Sequence, residues 1–446
     1  MNQFLKQIIV FALPLFALAQ TDTIESKVSF KGMDLTWING QNRQKDFPLI
    51  FKDKSGETIL TGVVYLDGHF NYNFAHPKDN TQTISAVTSR SNEFSLALVS
   101  IGVESNYKNT IGRLWLQTGS MLNIIQETDG SVNRGRNTSN GNLKFIREAA
   151  AGYHFDVNYG LNVEMGIFMS YIGLESYLTQ ENWSYQRSMV CDFTPFYFQG
   201  ARVQYFPTKN FKTELWLLNG WQSYNSWSKG PGVGNSNYFR PNENVQLVAN
   251  FYYGKDSKSG TTELSDVKRF HHDNSIVYRY FNSSNSTKRG LSQAAFSMNN
   301  HYGFQQGDGV KATDNFMTGT SFVNRLWFNN NKIGLTTRFD YVTNPGGYLS
   351  FTPAQSGSIP NDYEIAISNG KDLKMKQLSA TFDFMPSDFV TFRLEYTYRN
   401  ANIPYFVGSG GTTSQTGFSN DTLDPTWKAD LKKTENRIII AVNFRL

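Results

Sequence analysis

Four ionisable side chains, Glu175, Glu181, Arg187 and Asp192, stand among aromatic residues in the segment 172–194. Carboxylates facing a guanidinium across a narrow aqueous passage set up a transverse field that orients polar solutes, and that is the chemistry these four suggest. The alternative is an outward loop with solvated charges. A second group recurs at every other position of separate segments: Glu104, Arg113, Glu148, Glu164, Arg202, Arg279, Arg338, Asp340, Asp383, Arg393, Glu395, Arg399 and Arg445. That spacing places them on one face of β-strands, where they would line a wet interior or brace its wall as Arg–carboxylate ladders. Both signs occur, so strong ion selectivity is not expected.

Other candidates are weaker. His271-His272 suggests a metal, but neighbours on a strand point to opposite faces, so both are read as loop histidines and no metal site is expected. Gly230-x-Gly232-x-Gly234 lacks the strand–turn–helix setting of a phosphate loop and reads as loop or weak strand. Cys191 is the single cysteine and reads as inert, which also excludes an intrachain disulfide. His154 and His301 are read as inward-facing with no evident Ser partner, so no catalytic residue and no cofactor is expected.

The elements that must hold these residues show period-two alternation. In 388–400, Val390, Phe392, Leu394, Tyr396 and Tyr398 oppose Thr391, Arg393, Glu395, Thr397 and Arg399. At the C-terminus, Ile438, Ile440, Val442, Phe444 and Leu446 oppose Arg437, Asn443 and Arg445. Segments 59–74, 160–171 and 332–343 repeat the pattern, with Tyr171 placed on the apolar face of the second. Charges on the polar face of strand after strand, and aromatics at strand ends, favour a membrane barrel over a soluble sandwich. Short turns at 107–109, 156–160, 207–210, 329–331 and 385–387 should alternate with long outer loops. Simple scanning finds fifteen strands. Parity then requires one more, best placed at 231–240, turning at 241–244 into 245–254. The expectation is therefore an all-β, up-and-down antiparallel transmembrane barrel of 16 strands, with 14–18 as the range. An even count closes without an exposed edge. The outer loops fall at 75–91, 122–142, 172–194, 223–230, 255–272, 305–314, 344–372 and 401–432.

Composition agrees. Aromatic residues make up 15% of the 446 and charged residues only 18%. Mean hydropathy is −0.44, too low for a bundle of membrane helices. The net charge of +5 comes from 42 basic and 37 acidic residues with no basic run, which argues against nucleic-acid binding. Residues 1–19 read as a signal peptide: Lys6, an apolar run from Ile8 to Ala19, and an Ala17-Leu18-Ala19 cleavage site. Residues 20–58 read as a periplasmic arm or small plug, and 59–446 as the barrel.

The stretch 152–224 carries Gly166-Ile167-Phe168, Ile172-Gly173-Leu174-Glu175, Asn182-Trp183, Arg187-Ser188, Pro195-Phe196-Tyr197, Gly200-Ala201-Arg202 and Leu218-Asn219-Gly220-Trp221. It resembles the central block of the β-barrel porin-2 (OmpL-like) family of Gram-negative outer membranes. Tyr171-Ile172-Gly173-Leu174-Glu175 departs from the family's P-x-G-x-E-like loop by lacking the first proline. The resemblance implies an outer-membrane porin passing small hydrophilic solutes passively, in contact with outer-membrane lipids. It also implies assembly by the barrel-insertion machinery through the C-terminal strand, with oligomerisation left open. An adhesion barrel would use loops 344–372 and 401–432, offering Tyr348, Phe351, Tyr405 and Phe406. A barrel enzyme is the other alternative. A TonB-dependent transporter, with 22 strands and a plug, does not fit the length.

Overall fold

A computed structural model describes residues 27–38, 47–131, 135–136, 141–225, 228–255, 266–283, 289–349 and 373–446. The signal-peptide reading at 1–19 lies outside them, as do Phe351 and most of 344–372.

Sixteen strands form the wall: β1 (Thr58–Asn73), β2 (Glu93–Tyr107), β3 (Thr110–Thr118), β4 (Ile146–Phe155), β5 (Leu161–Met169), β6 (Tyr197–Thr208), β7 (Phe211–Leu218) and β8 (Gly232–Asn242), then β9 (Val245–Lys255), β10 (Lys268–Asn282), β11 (Leu291–Gln306), β12 (Phe316–Phe328), β13 (Ile333–Thr343), β14 (Lys374–Phe384), β15 (Val390–Ala401) and β16 (Thr434–Arg445). Each pairs antiparallel with its sequence neighbours. β16 returns to β1, from Arg437↔Asn73 to Arg445↔Tyr65, and closes the barrel. The weakly patterned strand that parity demands exists as β8, paired to β9 through Val248↔Tyr238 and its neighbours.

The connections alternate as expected. Lys108 and Asn109, with φ of 49° and 64°, make a two-residue hairpin turn of the left-handed kind that suits strand twist. At another short end the four-residue turn 329–332 holds Asn329, Asn330 and Asn331 in the left-handed region, with φ of 51–63°. At the other rim lie the described residues of eight connections: 74–92 (L1), 119–131 with 135–136 and 141–145 (L2), 170–196 (L3), 219–225 with 228–231 (L4), 266–267 (L5), 307–315 (L6), 344–349 with 373 (L7) and 402–433 (L8). L2 carries a short helix, α1 (Ser120–Gln126).

Two details differ from the sequence reading. β5 ends at Met169, so Tyr171 leaves the apolar face: its ring stacks on Trp216 at 4.9 Å and its hydroxyl donates to Phe251 O at 2.9 Å. His271 and His272 lie in β10 and not in a loop, with His271 fully buried and His272 partly exposed.

Candidate functional site: the barrel interior and loop L3

Alternation aims the polar face of β13–β16 and β1 at the lumen, with Arg325 added from β12, and L3 occupies that space. Its segment 184–194 is buried throughout. A loop that turns inward carries backbone carbonyls and amides away from water, and each needs a partner. The wall supplies them. Arg393 donates to the carbonyls of Thr179 (2.7 Å), Asn182 (3.1 Å) and Trp183 (3.2 Å). Its Nε pairs with Asp383 at 2.8 Å. Arg325 donates to Trp183 O (2.9 Å) and to the other Asp383 oxygen (2.6 Å). Arg338 donates to Gln186 O at 2.6 Å and lies 3.2 Å from Asp340. Acceptors match these donors: Glu395 takes the amide of Tyr185 at 2.7 Å, and Asp67 takes the hydroxyls of Tyr185 (2.9 Å) and Thr179 (2.6 Å). Arg399 reaches L1 at Ile84 O (2.6 Å) and pairs with Glu435 at 3.3 Å.

The four L3 charges separate. Glu175 accepts from Ser188 and lies 3.4 Å from Arg338; Glu181 pairs with Arg445 at 2.7 Å. Both line a cavity of about 200 Å³ between L3 and the wall of β8–β12, opposite Arg240, Tyr238 and Gln246. Arg187 sits within the loop's own packing, and Asp192 faces L1. Arg187 lies 4.5 Å above the Phe196 ring, and Asp192 accepts the amide of Ala86 at 3.3 Å. Burial pushes the Asp192 carboxyl up, and it pushes the neighbouring Cys191 thiol up to about 12.

Of the other expected lumen residues, Glu104, Arg113, Glu148, Glu164 and Arg202 lie together on β2–β6. Glu164 pairs with Arg113 and with Arg202, and Arg113 also lies 3.4 Å from Glu148. Glu104 accepts from Trp115 Nε1 at 2.9 Å. Glu104 and Arg113 border a second cavity of about 820 Å³ at the short-turn end. Asp67, Arg325 and Glu435 were not singled out from sequence. Arg325 shares its parity with Val323 and Trp327, two inward apolar residues, so its segment lacks the polar inner face that marks other strands.

The N-terminal segment 27–38 spans this end. Phe30 N donates to Lys209 O at 2.8 Å, and Trp37 Nε1 donates to Glu243 O at 2.9 Å. Asp34 pairs with Arg279 at 2.8 Å. Burial alone would raise the Asp34 carboxyl; hydrogen bonds from Thr36 and Arg279 bring it below its ordinary value. Trp183 of L3 donates to Trp37 O at 3.3 Å, so this segment touches L3 from below.

Residues 60–423 match the family described as "Putative beta-barrel porin-2, OmpL-like", and the chain belongs to that family. It is an outer-membrane porin. No curated protein matches. Among solved structures, the chain is similar to an anion-selective porin from Comamonas acidovorans, with a TM-score of 0.51 at 8% identity over 87% of this chain and 99% of that one. It is likewise similar to the outer membrane channel DcaP of Acinetobacter baumannii, with 0.51 at 10% over 89% and 99%. A third is OprB of Pseudomonas putida, with 0.51 at 10% over 87% and 94%. These likenesses concern the fold.

The adhesion reading loses three of its four contact residues, because Tyr348, Tyr405 and Phe406 are buried in one apolar cluster with Ile84 and Met317.

Proposed function

We propose that the barrel conducts small hydrophilic solutes by passive diffusion, and that L3 forms its narrowest section. The observation that carries this reading is the clamping of L3 backbone carbonyls by Arg325, Arg338 and Arg393 inside the lumen. Solutes would pass between Glu175 and Glu181 on the loop and Arg240 on the wall, where opposite charges border the 200 Å³ cavity. Segment 27–38 acts as a partial plug below it. The test is single-channel conductance of the refolded protein and of a 172–194 deletion. The expected result is an ohmic channel that widens on deletion. A folded barrel that stays silent would overturn the channel, and unchanged conductance after deletion would overturn the constriction.

We infer also that the chain associates with copies of itself through the outer face of β7–β12. Thr213, Asn237, Ala249, Asn274, Asn300 and Thr320 stand side by side in register across these strands. Apart from Ala249, they form an uncharged polar belt near mid-strand, with Asn300 bonding Asn274 at 3.2 Å and Thr320 bonding Asn300 at 2.8 Å. β14–β16 show Leu378, Phe382, Phe392, Leu394 and Ile440 to the lipid. Amides offer donors and acceptors that hydrocarbon cannot satisfy and a second copy can. An oligomer in lipid nanodiscs that becomes monomeric with Asn274→Leu plus Asn300→Leu is expected. A monomeric natural protein, or an oligomer unaffected by the pair, overturns the interface. Insertion would proceed through β16 as the strand read by the barrel-insertion machinery.

A further inference from the structure

On β10 and β11, Asp273 stands directly opposite His301, and His271 is diagonal to it, opposite Gly303. All three side chains face inward and are buried, at the foot of L3. Gly303 leaves the space filled by Tyr348, whose hydroxyl lies 2.3 Å from where a Cβ would stand. One ligand atom from each of His271, Asp273 and His301 lies within 4.8 Å of the others.

The hydrogen bonds around the two rings fix their tautomers. Asn299 donates its amide nitrogen to Asn274 O at 3.0 Å, so its carbonyl oxygen faces His301 Nε2 at 2.8 Å. A carbonyl cannot donate, so Nε2 carries the His301 proton and Nδ1 keeps a lone pair. Tyr348 gives its hydroxyl proton to Phe270 O at 3.0 Å. It therefore accepts from His271 Nδ1 at 3.0 Å, and His271 Nε2 keeps a lone pair. Those two lone-pair nitrogens, His271 Nε2 and His301 Nδ1, face each other at 3.0 Å. Two neutral imidazoles in these tautomers have no proton to place between them. An electrophile belongs there.

We propose that His271 Nε2, His301 Nδ1 and an Asp273 carboxylate oxygen bind a divalent late transition-metal ion, with Zn²⁺ as the probe. Two imidazoles and a carboxylate form a ligand set suited to such ions. Metal–nitrogen bonds of about 2.1 Å at tetrahedral angles set the nitrogens about 3.4 Å apart, so the rings need to part by only a few tenths of an ångström. The outer shell is in place: Tyr348 and Asn299 orient the rings, while Gly173 N (3.1 Å) and Asn250 (2.9 Å) orient Asp273. Gly173 and Cys191 belong to L3, so the ion would sit where that loop meets the wall.

The test uses tag-free full-length protein refolded with Zn²⁺ present, so that access to a buried site does not limit loading. After dialysis, the metal is counted by atomic emission. About one equivalent per barrel is expected, falling at least about tenfold in His271→Gln and His301→Gln and unchanged in the outward-facing His272→Gln. Co²⁺ loading of the natural protein should give visible d–d absorption of a low-coordinate site, a readout that stands even if a variant fails to fold. Absence of bound Zn²⁺ and of a Co²⁺ spectrum, or one equivalent retained in both folded variants, overturns the proposal.

Discussion

Arg393 and Leu394 are adjacent in β15 and point to opposite sides of the wall, so they separate loop anchoring from strand stability. Arg393→Met keeps the length of the side chain and removes its charge. The change deletes three hydrogen bonds to L3 carbonyls, at Thr179, Asn182 and Trp183, and the ion pair with Asp383. Each bond from a charged donor contributes about 1.5–3 kcal/mol, and breaking a buried pair on one side costs about 3–5 kcal/mol in total. Asp383 retains Arg325 at 2.6 Å, and L3 retains Arg338, so the lower figure applies. About 3 kcal/mol against the inward loop raises its released fraction roughly 100-fold at ~1.4 kcal/mol per decade. Single-channel recordings should then show frequent steps to a higher conductance level and greater open-channel noise. Leu394→Ala, on the lipid face, should leave the trace unchanged. An Arg393→Met barrel that is folded and conducts like the natural protein would refute the idea that this arginine holds the loop.

Three further outcomes are expected. Asp79 of L1 would be raised by burial, but amides of Thr412 and Thr81 and the Thr413 hydroxyl hold its carboxyl below 3.8. A depressed folded value means its contribution is present above the unfolded value and lost as pH falls through the folded one, so L8 should become pepsin-sensitive only below about pH 4, and Asp79→Asn should remove that dependence. Gly102→Ala would place a Cβ 2.3 Å from the buried Trp115 ring, and it should lower unfolding stability in urea by about 1–3 kcal/mol. Cys191, buried with its thiol held near 12, should resist maleimide in the folded barrel and react once denatured; labelling of the folded protein would show that L3 opens.

Alternation in the sequence determined the wall. Each strand buries one face and offers the other to lipid, so period two is written directly into segments such as Val390–Ala401. Even the weak strand Gly232–Asn242 followed from closure, because an antiparallel barrel needs an even count. The candidate site was legible only in part. Glu175 and Glu181 border the cavity between L3 and the wall, but nothing local distinguishes an inward loop from an outward one. Its direction is decided by Arg325, Arg338 and Arg393, contributed by three different strands. The same holds for His271 and His301, thirty residues apart in sequence. As neighbours of His272 and Tyr302 they carry no metal-site spacing, and only the β10–β11 register sets their nitrogens against each other. The sequence determined which face each side chain takes, because that is a local property of the strand. Tertiary structure decided which side chains meet, because register and loop direction depend on partners distant in the chain.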